Sequence, residues 1–250
     1  MTIRVAVTGA AGRMGSTVCR AVEEAEGLEL VARLDVGDEI TAAHLGGADV
    51  AVDFTVPAVA EANVHALIDA GVDAVVGTTG WTEESYARVR EHLAEPGAAG
   101  RSVLIAPNFA LSAVLAMSLA ARAARYFESA EVVELHHPNK VDAPSGTAIA
   151  TARGIAAARA EAGLGPVPDA TQADPLGARG AVVDGVHVHA VRLRGLTAHE
   201  EIVLGNPGEQ LTIRTDSFDR ASFMPGVLLA VREIGRREGL TVGLEGLLDL

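Results

Sequence analysis

IRVAVTGAAGRMGSTVCRAVEEAEGLELVARLD, residues 3–35, decides the fold of this 250-residue chain. Residues 3–7 form a short β-branched run, Gly9, Gly12 and Gly15 follow at three-residue spacing, and residues 16–25 carry the amphipathic period of a helix. This is strand, glycine loop, helix. The loop Gly9-Ala10-Ala11-Gly12-Arg13-Met14-Gly15 allows a tight turn and brings backbone close to a pyrophosphate, which rests on the N–H groups of the helix start. The spacing is GxxGxxG, and such a string is weak alone. Its context strengthens it: residues 28–34 read as a second strand ending at Asp35, about 20 residues past the last glycine, where a dinucleotide domain places the acid that binds a ribose hydroxyl.

Further strand–helix units follow outward from this stretch. Strands are expected at 50–54, 72–76 and 102–105, with helices at 57–70 and 83–93. Such alternation predicts an α/β fold, a doubly wound parallel sheet with right-handed crossovers. Ligands bind beyond the carboxyl ends of such strands. Phe54, the turn Gly77-Thr78-Thr79-Gly80, and Ala106-Pro107-Asn108-Phe109 therefore fall along one crevice with the glycine loop. An acid on the 2′-hydroxyl favours NADH, whereas a nearby arginine pairs with the 2′-phosphate of NADPH. Asp35 and Arg13 are both present, so use of either cofactor is expected.

Composition bounds the rest. A single cysteine, Cys19, excludes an internal disulfide and reads as a small core residue of the first helix. The N-terminus is already a strand, with no basic leader, and the longest apolar helical pattern, 111–121, falls short of the ~20 residues of a bilayer span. A cytoplasmic protein that does not enter the membrane is expected. The net charge of −13 argues against a nucleic-acid surface. An acidic protein that binds an anion must also build a local positive patch against its own field.

ELHHPNKVDAPSGTA, residues 134–148, supplies such a patch. An apolar run over 130–135 reads as a buried strand that Pro138 stops, which places His136, His137 and Lys140 at the strand end and its loop. The Ser145-Gly146-Thr147 turn then opens an Ala-rich helix, offering N–H groups and hydroxyls to a carboxylate or phosphate. No metal is expected, because adjacent histidines share no helix face and no Cys or His stands at ligand spacing nearby. Farther on, a helix at 111–127 and one at 223–236 flank strand-like runs at 182–193, 198–204 and 209–215, the pattern of a second, sheet-rich domain. Residues 163–180, with three prolines and four glycines, read as a mobile loop, and His187 and His189 alternate onto one strand face in a packing role.

Gly9 to Gly15, Gly77 to Gly80, Ala106 to Phe109 and above all residues 134–147 resemble the dihydrodipicolinate reductase family, also called 4-hydroxy-tetrahydrodipicolinate reductases, over nearly the whole chain. The resemblance implies a Rossmann domain from both chain ends, 1–107 and 218–250. A substrate-binding domain, 108–217, with an open mixed sheet that assembles a homotetramer is implied between them. It also implies reduction of a cyclic imine dicarboxylate with NADH or NADPH, in diaminopimelate and lysine biosynthesis. Lys140 and His136 are then the proton-handling pair, in roles that could be exchanged, and His137, Ser145, Gly146 and Thr147 hold a substrate carboxylate. Asp35 departs from members that carry Glu-Arg there. Another two-domain imine or hydroxy-acid oxidoreductase, or a non-catalytic dinucleotide sensor, would share much of this pattern.

Overall fold

The computed structural model describes residues 2–248, which divide into two compact units, residues 2–110 with 220–248 and residues 111–219. The first is built on six parallel strands in the order β11-β5-β4-β3-β1-β2. These are β1 (Ile3–Thr8), β2 (Leu28–Leu34), β3 (Val50–Asp53), β4 (Asp73–Val76), β5 (Ser102–Ile105) and β11 (Gly239–Val242). Buried on both faces, β3, β4 and β5 are unbroken buried runs, as a parallel sheet covered by helices requires. Helices α1 (Gly15–Glu24) and α6 (Met224–Glu233) pack together, as do α2 (Pro57–Asp69) and α3 (Glu83–Leu93). Val64, Leu67, Ile68 and Val89 of α2 and α3 meet Ala6, Ala51, Ala74 and Val76 in one core cluster, and each large aliphatic side chain fully buried there is worth about 1.5–3 kcal/mol.

The second unit is a five-stranded mixed sheet, order β10-β9-β6-β8-β7, with two helices on one face. Its strands are β6 (Ser129–His136), β7 (Ala181–Val183), β8 (Val186–Arg192), β9 (Ala198–Asn206) and β10 (Glu209–Ser217), and its helices are α4 (Leu111–Ala124) and α5 (Gly146–Glu161). Alternate residues of β6, from Ala130 and Val132 to Glu134, face the helices, where Ala120, Ala152, Ile155, Ile202 and Leu204 close the core. The parallel β6–β8 ladder sets Glu134 beside Ala190 and His136 beside Arg192. The antiparallel β6–β9 ladder sets Glu134 opposite Glu200.

The expected doubly wound sheet and the mixed second sheet are both present, with corrections in detail. The run at 182–193 is two strands, because Asp184 and Gly185 both take positive φ (48° and 86°) and close a two-residue hairpin. Asp-Gly is the signal for that turn, and the surrounding β-branched residues masked it. The helix expected to reach residue 127 ends at Ala124, before Phe127 turns into the core of the sheet. The run at 223–236 holds α6 over Met224–Glu233, preceded and followed by 3-10 turns at Arg220–Phe223 and Ile234–Arg236. Strand β11 was not anticipated; four residues after a charged stretch give too short a pattern to read. Residues 163–180 hold no helix or strand, but Asp174 accepts from the Ala178 and Arg179 N–H groups, and Arg179 ties the segment to Glu131 of β6 at 2.5 Å.

Candidate active site

The chemistry-bearing residues lie in two places, each within one unit. In the first, a cleft of about 700 Å³ opens at the carboxyl ends of β1 to β4 and is lined by Gly9, Gly12, Arg13, Met14, Asp35, Phe54, Gly77, Thr78 and Thr79. Gly9 has φ +74°, and a Cβ there would stand 2.6 Å from the Phe54 carbonyl oxygen, so the loop closes on β3 only with glycine. Helix α1 starts without a side-chain cap and without an acidic residue in its first turn, which suits an anion at its N–H groups. Asp35 accepts hydrogen bonds from Ala11 N–H at 2.5 Å and Val36 N–H at 2.8 Å, and these hold its carboxyl below the usual range.

A residue that sequence reasoning passed over pins the cleft floor. Asp53, fully buried at the end of β3, accepts from Thr8 Oγ1, Thr55 Oγ1, Thr78 Oγ1 and Asn63 Nδ2 at 2.8–2.9 Å. One carboxylate thus joins the ends of β1, β3 and β4 to α2. Ala10 donates its N–H to Leu34, and Ala106 donates to Val76, so both serve the strand ends. Phe109 is buried and packs its ring 5.7 Å from Phe54, with Pro107 and Asn108 in the same connection after β5. The glycine loop, the uncapped helix and the ionised acid at the end of β2 fit a dinucleotide.

The second place is the end of β6. Glu134 is fully buried, and its carboxylate accepts a forked pair from Arg192 (2.7 and 2.7 Å), the Ser145 N–H (3.1 Å) and the His136 Nδ1–H (2.5 Å). Burial pushes this carboxyl up, and the hydrogen bonds from Arg192 and His136 outweigh it, leaving it below the usual range. His136 is pushed down, foremost by burial, then by the Lys140 and Arg192 charges, against the opposing pull of Glu134. Lys140 donates to Asp142 Oδ1 at 2.7 Å, which takes one of an ammonium's three donors. Ser145 caps α5, its hydroxyl accepting from Ala148 N–H at 3.2 Å, so Gly146 and Thr147 occupy the first turn. His137 is exposed at the strand end.

The sequence pointed to His136, His137, Lys140 and the Ser145–Thr147 turn, and folding gathers them around β6 and α5. It did not point to Glu134, Arg192, Glu200 or Thr151 as members of the same cluster. Glu134 did carry a signal: a charged residue at a core-facing position of an otherwise apolar strand. Among the described residues no group of three or more His, Cys, Asp or Glu is placed to hold a metal, and no helix is long and apolar enough to cross a membrane. His187 and His189 engage Asp169 and Glu131 at 3.2 and 2.7 Å, so carboxylate pairing, beyond plain packing, is what they do.

Residues 3–109 match the family model described as dihydrodipicolinate reductase, N-terminus, and residues 112–248 match the one described as dihydrodipicolinate reductase, C-terminus. The 4-hydroxy-tetrahydrodipicolinate reductase of Beutenbergia cavernae is 70% identical over the whole of both chains. That of Bifidobacterium longum is 62% identical, covering 99% of this chain and 100% of its own. Among solved structures, dipicolinate-bound dihydrodipicolinate reductase from Paenisporosarcina sp. TG-14 superposes with a TM-score of 0.86 at 36% identity, over 98% of this chain and 99% of that one. With both family models matched in order along nearly its full length, the chain belongs to the dihydrodipicolinate reductase family.

Proposed function

We propose that this chain reduces 4-hydroxy-tetrahydrodipicolinate to tetrahydrodipicolinate with NADH or NADPH, a step of diaminopimelate and lysine biosynthesis. The observation that carries the reading is the cluster at the end of β6, where His136 and Lys140 stand beside a Ser145-capped helix start in a family whose relatives bear that activity in their names. Residues 1–107 and 218–250 hold the dinucleotide, with Gly9 to Met14, Asp35, Phe54, Gly77 to Thr79 and Ala106 to Phe109 as its contacts. The bound dihydronicotinamide supplies hydride. Residues 108–217 bind the dicarboxylate, which loses its 4-hydroxyl as water, accepts the hydride at a carbon conjugated with the imine, and takes a proton from this domain.

The two proton carriers divide naturally. Lys140 is an ammonium that spends one donor on Asp142, which leaves others for the substrate, and it acts as the acid. His136, held low by burial, orients or relays at its second ring nitrogen. His137 with the Gly146 and Thr147 N–H groups holds a substrate carboxylate at the start of α5. Asp35 together with Arg13 supports use of both cofactors. The sheet face of the second unit opposite α4 and α5 carries half-buried Val133, Leu135 and Val203, and it supports assembly into a homotetramer. A cytoplasmic location accords with the reducing environment that a lone buried cysteine suits.

The experiment supplies the freshly formed condensation product of pyruvate and aspartate semialdehyde and follows consumption of NADPH and of NADH. Consumption that depends on that product is expected. Folded protein that binds the nucleotides yet consumes neither would sink the reading.

A further inference from the structure

Glu134 is a charged side chain at a core-facing position, fully buried between the sheet and α5. Such a carboxylate persists only when its charge and lone pairs are matched. Arg192 does so with both guanidinium arms at 2.7 Å, and the Ser145 N–H adds a third bond at 3.1 Å. Neither partner can accept, and an ionised carboxylate cannot donate. The hydrogen in the 2.5 Å contact with His136 therefore resides on Nδ1, and neutral His136 keeps its lone pair on Nε2.

The neighbouring carboxyl reinforces this. Glu200 lies opposite Glu134 across the β6–β9 ladder and is 4% exposed. Thr151 Oγ1 stands 2.6 Å from Glu200 Oε1 and 3.0 Å from the Thr147 carbonyl oxygen. A hydroxyl has one hydrogen and the carbonyl can only accept, so both contacts are satisfied when Thr151 donates to Thr147 and the Glu200 carboxylic acid donates to Thr151. The pair then carries one negative charge, on Glu134.

We propose that Glu134 is a positioning residue for the reaction, an inference that rests on His136 taking part in it: clamped by Arg192, the carboxylate fixes His136 with hydrogen on Nδ1, so that protons enter and leave at Nε2. The same carboxylate steadies the imidazolium when it forms. The charged and titratable groups around His136 are Glu134 on its own strand, Arg192 from β8, Glu200 from β9, and Lys140 and Asp142 from the following loop, while α5 presents the neutral Ser145 and Thr151.

Glu134→Gln tests the assignment. The Ser145 N–H and one Arg192 arm both require an acceptor at Oε1, so the amide oxygen takes that place and the NH2 faces Nδ1, reversing the tautomer. Long-range 1H–15N correlation spectra of the full chain labelled at histidine nitrogen, with His136→Gln assigning the signal, read the tautomer directly. The wild type should show Nδ1–H, and Glu134→Gln should show Nε2–H with kcat lower by about 10² or more and KM within about threefold. The limb of the pH profile that reports His136 should also move to lower pH, because the variant lacks the charge that favours imidazolium. Wild-type protein with hydrogen on Nε2, a result that needs no variant to fold, overturns the inference. So does Glu134→Gln with unchanged tautomer and turnover. Wild-type kcat in His136→Gln would instead overturn the reading of the site beneath it, and the positioning role with it.

Discussion

Glu134 and Glu200 face one another across the β6–β9 ladder, both buried beneath α5, and Arg192 forks onto Glu134 while Glu200 meets the Thr151 hydroxyl. Unequal partners push two like carboxyls in opposite directions, Glu134 below its usual range and Glu200 above it. Burial foremost, with the charge of Glu134 adding to it, pushes Glu200 up to about 7.

That difference makes stability depend on pH. A carboxyl whose folded value is about 7 against an ordinary 4.5 keeps its proton in the native state after the unfolded chain has released it. Its contribution is complete below the ordinary value and is lost as pH rises to the folded one, about 3 kcal/mol in all. Glu200→Gln keeps a donor for Thr151 and cannot ionise. Thermal unfolding from about pH 5 to pH 8 should show the wild type losing stability relative to this variant; parallel curves would count against a neutral Glu200.

His137 is exposed at the strand end, outside the Glu134 network. His137→Ala should therefore raise KM more than it lowers kcat, the mark of lost substrate binding. A large fall in kcat at unchanged KM would make His137 a participant in the chemistry.

The glycines of the loop between β1 and α1 differ in tolerance. A Cβ on Gly15 would fall inside contact distance of the Gly9 carbonyl oxygen, whereas on Gly12 the same oxygen is 3.0 Å away. Gly15→Ala should cost about 1–3 kcal/mol of stability and weaken nucleotide binding, with Gly12→Ala the milder change. Unfolding and nucleotide titration compare the two, and equal effects would contradict the loop packing.

Hydrogen bonds from the Val36 and Ala11 N–H groups hold the Asp35 carboxyl below its usual range, and Arg13 lines the same cleft. The ratio of kcat/KM for NADH and NADPH should stay below about a hundred, and Asp35→Ala should shift it toward NADPH by removing the acid from the ribose. A wild-type ratio beyond that range would show that one of the two side chains does not contact the nucleotide.

How much of this was legible in one dimension follows from the range of each interaction. The first unit announces itself locally: the β-branched run, the glycines at 9, 12 and 15, and Asp35 are read within about thirty residues of one another. His136, Lys140 and Ser145 also lie within one short segment. Arg192, however, reaches Glu134 across 58 residues, and Glu200 meets it only through strand register, which a single sequence does not encode. Asp53 was hidden for the same reason, since its partners come from three other elements. The hairpin at Asp184-Gly185 was readable and was overlooked inside a β-branched run.

In the proposed reduction the proton comes from the end of β6, with Lys140 as the acid. Lys140→Ala addresses it most directly, with kcat measured alongside nucleotide affinity on the same preparation. The kcat should fall by ~10²–10⁴ with cofactor affinity unchanged. Near-normal turnover would remove Lys140 from the mechanism and leave the proton to another group.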